Sequence, residues 1–237
     1  MGFYARRLLA FVLAMAPAVC ARAYDETAVT GGGTIAGLIT YNGVVPMKKI
    51  IPTKDVEVCG GPREDPEIEV GPDKAVMNVV IALEDVTKGK AWPADGGTPQ
   101  LDNIKCRFDP EIQVIRAGPL DVVNKDPVLH NTHGYYGKRT AFNMALPNQG
   151  QTIPTELQRA GVVRVDCDAH GWMEGWIYVV DNPYYAITGA DGKFSIGDIP
   201  PGQYKMVVFQ PLVGPIESTV TVTAGQTTES DIELKKP

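Results

Sequence analysis

Hydrophobic residues along this chain recur in short runs with a period of two, and no long stretch repeats apolar residues every three or four positions. Runs rich in Val, Ile, Thr and Tyr are punctuated by Gly and Pro, which predicts an almost entirely β protein. Thr34–Tyr41 followed by Asn42-Gly43 reads as a strand and a turn, with an extended segment continuing past Pro46. Residues 59–74 are acidic, polar and rich in Pro and Gly, the pattern of a loop, and Ala75–Leu83 reads as a strand. At residues 162–167 the alternation is strict. Val163, Val165 and Cys167 share one face, and Arg164, Asp166 and Asp168 share the other. Cys167 is therefore expected to point inward, with its acidic neighbours in water.

The first residues have a different pattern. Arg6-Arg7, the apolar Leu8–Ala18 and Ala21-Arg22-Ala23 follow the order of a secretory signal peptide, residues 1–23, cleaved after Ala23. Arg6-Arg7 as part of a twin-arginine signal and Cys20 as a lipidation site are the variants, each without its full context. The apolar run is shorter than the roughly 20 residues of a membrane span, so no transmembrane span is expected in the mature protein and its location is expected to be periplasmic or secreted. Cleavage leaves 19 basic against 28 acidic residues, a net charge of −9. Such a surface disfavours nucleic acid and anionic lipid and favours a partner with a basic docking surface.

Cleavage also leaves three cysteines, Cys59, Cys106 and Cys167, an odd count for an oxidising compartment. Cys59 paired with Cys106 leaves Cys167 free for chemistry. A different pair with another buried free thiol is the alternative.

Two segments resemble known domains. Residues 184–237 contain Asp191-Gly192, read as a hairpin, then Pro200-Pro201-Gly202 leading into a strand with Tyr204. They resemble the transthyretin-like sandwich of the carboxypeptidase regulatory-like domain, whose usual opening strand looks instead like Gly33–Gly43. The expectation is one sandwich built from residues 33–98 and 184–237, with residues 99–183 inserted between them.

The chain has three histidines, His130, His133 and His170, all in that inserted segment. One thiolate, two imidazoles and a thioether suit copper, whose two oxidation states accept soft sulfur and imidazole alike. Zinc would not choose Met173, and Cys59 paired with Cys106 removes the usual zinc sets. The run from Phe108 through Pro110, Ile112, Val114, Gly118, Leu120, Val122, Asn124 and Asp126, then His130-Asn131, then Cys167-x-x-His170-x-x-Met173, resembles a cupredoxin, with a short ligand loop most like that of amicyanin. The resemblance implies a Greek-key β-sandwich over residues 99–183 holding one type 1 copper ion. His130 would be the buried imidazole ligand, Cys167 the thiolate, His170 the imidazole exposed at the surface and Met173 the axial ligand. Asn131 would tie the two ligand segments together through its backbone. Gly171 and Trp172 would rim a docking site for a redox partner. His133 remains open as an alternative ligand.

The function expected from these residues is a one-electron carrier for a periplasmic redox partner. A periplasmic copper-binding or delivery protein, and a structural or ligand-binding sandwich with a secondary metal site, are the alternatives. An enzyme is not expected, because three histidines cannot build a second copper centre and four ligands leave no open coordination position.

Overall fold

The computed structural model describes residues 24–94 and 96–236, so the expected signal peptide with its Ala23 cleavage site, and Cys20, lie outside the described residues. The fold is all-β, as the two-residue period requires. Among the described residues the helical segments are two short turns, Val56–Cys59 and Pro72–Lys74.

Strands from both ends of the chain pair with one another. Gly33–Tyr41 lies antiparallel to Lys193–Ile199 on one edge and parallel to Thr227–Glu229 and then Ile232–Leu234 on the other. Facing this sheet is a second, ordered Tyr185–Ile187, Val80–Glu84, Gly202–Gln210, Gly214–Val222 and antiparallel throughout. Ile35, Ile39, Ile81, Leu83, Met206 and Val208 fill the space between them, each at most 2 % exposed.

Asp191-Gly192 makes a corner and not a hairpin, because the strand before it joins one sheet and the strand after it joins the other. Gly192 is required there. Its φ is +67°, and a Cβ would meet the Ile39 carbonyl oxygen at 2.7 Å.

The intervening residues build a second sandwich. One sheet runs Thr152–Leu157, Gly118–Asn124, Gln100–Ile104, Arg107–Asp109. The other runs Arg139–Leu146, His130–Tyr136, Gly161–Cys167, Glu174–Val180, Ile112–Arg116. Leu101, Leu120, Val122, Leu146, Val163, Val165 and Ile177 form its core.

A third apolar cluster joins the two sandwiches. Val80, Ala82, Val207 and Phe209 face away from the outer core and pack against Tyr178 and Val180, which face away from the inner one. Trp176 belongs to this layer, partly buried, with its ring centroid 5.6 Å from that of Phe209. Strands covered on both faces read as continuous apolar runs, which explains why Val80–Leu83 shows no alternation.

The segment read as a loop at 59–74 contains a strand, Arg63–Pro66, paired antiparallel with Met47–Ile50 as a two-stranded ribbon. Pro66 is tolerated because the ribbon joins no larger sheet. Between its strands, residues 51–62 form a strap carrying the Val56–Cys59 turn. Its residues are mostly exposed, with Pro52 and Cys59 buried and Val58 packed partly against the inner core.

Candidate metal centre

Cys167 ends the Gly161–Cys167 strand, whose inward set is Val163, Val165 and Cys167, with Cys167 itself 1 % exposed. The neighbouring strand begins at His130, with Thr132 opposite Cys167 in register. Alternation along His130–Tyr136 turns His130, Thr132 and Gly134 inward. Past Cys167 the chain makes two tight turns. The His170 amide donates to the Cys167 carbonyl at 3.2 Å, and the Met173 amide donates to the His170 carbonyl at 2.9 Å. These turns bring His170 back over the thiol, and Met173 is buried in the same core.

Three ligand atoms converge. Cys167 Sγ lies 3.8 Å from His130 Nδ1 and 3.7 Å from His170 Nδ1, and the two Nδ1 atoms are 3.2 Å apart. Asn131 bridges the two segments: its amide donates to Cys167 Sγ at 3.4 Å, and its carbonyl accepts from the Asp168 amide at 3.2 Å.

The outer nitrogen of each imidazole is bonded to a carboxylate. His130 Nε2 lies 2.9 Å from Asp126 Oδ2, and His170 Nε2 lies 2.9 Å from Asp55 Oδ2. A carboxylate only accepts, so each Nε2 carries the proton and each Nδ1 presents a lone pair. Two lone pairs facing each other at 3.2 Å beside a thiol repel unless a cation lies among them. The donor set therefore fits a thiophilic metal, with its outer hydrogen bonds already in place. In the metal-free protein, burial pushes His130 below the ordinary histidine value, partly offset by its bond to Asp126. Burial likewise pushes the Cys167 thiol up, against the amides of Asn131, His170 and Ala169.

Asp126 has a further role. Its Oδ1 accepts from the Lys105 amide at 2.7 Å and its Oδ2 from the Cys106 amide at 2.9 Å, which fixes the turn that carries Cys106. Cys106 is disulfide-bonded to Cys59, and Cys167 is the free cysteine among the described residues.

Two sequence readings are corrected. His170 is not exposed: its side chain is wholly buried, because the strap places Asp55 over it. His133 is not in the group. It lies three positions from His130 on a strand and so points to the opposite face, against Asp168 Oδ2 at 3.1 Å and stacked on Tyr135. Of the residues expected to rim a docking site, Gly171 is exposed, while Trp172 is partly buried with its ring edge-on to His170 at 5.1 Å between centroids.

Asp55 and Asp126 join the site from outside the set of expected site residues. Asp126 stands four residues before His130 and is visible as an acid beside a candidate ligand. Asp55 is 115 residues from His170 and leaves no local signal.

Comparison with known proteins places two likenesses on this chain. Residues 177–235 match the family described as carboxypeptidase regulatory-like domain. A 61-residue stretch is 39 % identical to a probable rhamnogalacturonate lyase A of Aspergillus flavus, covering 26 % of this chain and 11 % of the lyase. The chain thus spans about a tenth of that curated relative. Among solved structures, a reduced amicyanin variant aligns with TM-score 0.33 and 19 % identity over 37 % of this chain and 86 % of its own. A purple cupredoxin from Nitrosopumilus maritimus aligns with TM-score 0.31 and 23 % identity, over 35 % and 99 %. A copper-containing nitrite reductase from Thermus scotoductus aligns with TM-score 0.31 and 18 % identity, over 38 % and 25 %.

Proposed function

We propose that this protein is an exported one-electron carrier that holds a single copper ion between His130, Cys167 and His170, with Met173 as a fourth, weaker ligand. The observation that carries the reading is the convergence of His130 Nδ1, Cys167 Sγ and His170 Nδ1 within 3.8 Å of one another in a buried pocket. Bound there, copper supplies a Cu(I)/Cu(II) couple. The protein's own residues do the rest. Asp126 and Asp55 fix both imidazole tautomers, and the Asn131 amide directs a hydrogen bond at the thiolate. The apolar core around Val165 and Met173 excludes water. A donor set held this firmly changes little between oxidation states, which favours electron transfer.

The alternative of copper delivery is less well supported, because His170 is covered and the ion would leave only after the strap moved. The partner surface is proposed to lie over Gly171 and the strap, with exposed Ile51, Val56 and Leu129 as apolar contacts. The mature net charge of −9 favours a basic partner. An enzymatic role is not proposed.

The test is a spectrum of the copper-loaded mature protein beside its Cys167→Ser variant. Intense visible absorption from Cu(II) bound to thiolate, lost in the variant and bleached reversibly by a one-electron reductant, is expected. Colour that survives the substitution would overturn the ligand assignment, and a colourless protein that passes Cu(I) to chelators would favour delivery.

A further inference from the structure

The Cys59–Cys106 disulfide does not lie in a remote corner of the fold. Its sulfurs fall within 4.8 Å of a ring nitrogen of His170, and the Cys106 sulfur is also within 4.8 Å of a ring nitrogen of His130. Both cysteines are buried, at 5 % and 0 % exposure. The disulfide also joins the two carboxylates that hold the imidazoles. Asp55 opens the turn that ends at Cys59, and the Cys106 amide donates to Asp126. The strap on the Cys59 side is lightly held. Beside the disulfide, the Asp55–His170 bond and the partial packing of Val58 tie it to the inner sandwich; Pro52 is also buried, and the strap's remaining side chains are exposed. Segments of this kind open locally at lower cost than the core strands.

We infer that the Cys59–Cys106 disulfide is a reducible clasp whose opening adds two thiols to the buried donor set and gives the protein a second, sulfur-rich form that holds Cu(I). The inference rests on the copper reading above and deepens it. The reductant is a dithiol, protein or small molecule, reaching Cys59 when the strap opens. The S–S bond breaks, two S–H bonds form with two electrons and two protons from the dithiol, and the dithiol leaves as its own disulfide. The two new thiols then lie beside the imidazoles, in groups that share His170 and His130 with the one that contains Cys167. Soft thiolates favour Cu(I) over Cu(II), so the reduced clasp biases the centre toward holding copper and away from cycling it.

The experiment uses the mature full-length protein in disulfide and dithiol forms, the latter prepared with dithiothreitol and desalted without oxygen. Alkylation after denaturation should count one thiol in the first form and three in the second. Competition for Cu(I) against bicinchoninate should show the dithiol form binding about tenfold to a hundredfold tighter, the range over which groups around a site tune its affinity. X-ray absorption should show more sulfur around the metal. The Cys59→Ser/Cys106→Ser double variant, whose strap is equally released, should keep the affinity of the disulfide form.

Equal affinity and equal sulfur count in the two forms would overturn the inference, as would a double variant that gains as much as the dithiol form. If circular dichroism shows that the dithiol form unfolds, Cys59→Ser alone leaves a single free Cys106 thiol and should exceed the double variant at least about tenfold. Equality of those two variants would overturn the inference as well. Loss of Cys167-dependent colour in the disulfide form would instead sink the copper reading itself.

Discussion

The two sandwiches have apolar cores of the same kind, but they treat buried polar groups differently. Of ten buried polar side chains among the described residues, seven lie between Asn103 and His170, and Asn182, Thr188 and Gln210 belong to the outer sandwich. In the outer sandwich such side chains mainly tie off backbone at corners, Asn182 donating to the neighbouring Asp181 carboxylate as well. The Thr188 hydroxyl donates to the Val76 carbonyl and accepts from the Val79 amide, and Asn182 spans Leu83 and Tyr184. In the inner sandwich they also engage one another, Thr132 with Asn103 and Asp126 with His130, and buried His170 meets the exposed Asp55 of the strap. A buried polar residue bonded only to backbone completes a fold. One bonded to a side chain that titrates or ligates prepares a site.

The largest test of this contrast is whether the two regions are energetically separate. Ile39→Ala opens a cavity in the outer core and should cost about 2–5 kcal/mol. Because the third apolar cluster welds the sandwiches together, calorimetry should still show one transition, with copper absorbance lost at the same temperature. Two resolved transitions would show that the weld is weak.

Next come paired substitutions that separate corner from site. Thr188→Val strands a buried amide and a carbonyl, so it should cost about 1–3 kcal/mol of stability while leaving copper affinity unchanged. Asp126→Asn should do the reverse in emphasis, weakening copper binding about 10- to 100-fold in a chelator competition. Equal effects of both on affinity would erase the distinction.

A smaller effect is expected from pH. His130 is held neutral in the fold, its folded value lying below the ordinary 6.5. A depressed value favours the neutral form, so its contribution is complete above 6.5 and is lost as pH falls toward the folded value. The melting temperature of the metal-free protein should therefore drop between neutral pH and about pH 5, and His130→Gln should flatten that slope. Last, His133→Ala should leave the visible spectrum of the copper form unchanged, since that imidazole lies on the outward face. A shift in the spectrum would return His133 to the site.

Much of the centre was legible in the sequence because its signals are local. Cys167 and His170 lie three residues apart in one turn, and alternation over Val163–Cys167 aims the thiol inward. The same rule resolves His133, but only once His130–Tyr136 is known to be a strand, since residues three apart then face opposite ways. Counting thiols leaves one of three cysteines over, with Cys59–Cys106 as one of the possible pairs; the structure selects that pair and its place beside the histidines, which the count does not give. Nothing near Asp55 marks it as a cap for His170, because that contact depends on a strap crossing from one sandwich to the other. The burial of His170 was missed for the same reason.

The Gly33–Tyr41 strand finds every sheet partner after residue 192. Apart from the bridge of Thr40 to Ala75 near its end, a chain emerging amino end first therefore carries that strand with most of both edges unpaired while the whole of the inner sandwich is still being delivered. The inner sandwich can close before its host does, and the host is sealed only when Ile232–Leu234 arrives alongside Ile39–Tyr41. Unpaired edges are where chains stick to one another. The interval before closure is thus the vulnerable period in this protein's assembly, and a helper that shields residues 33–41 would be needed during that interval and no later.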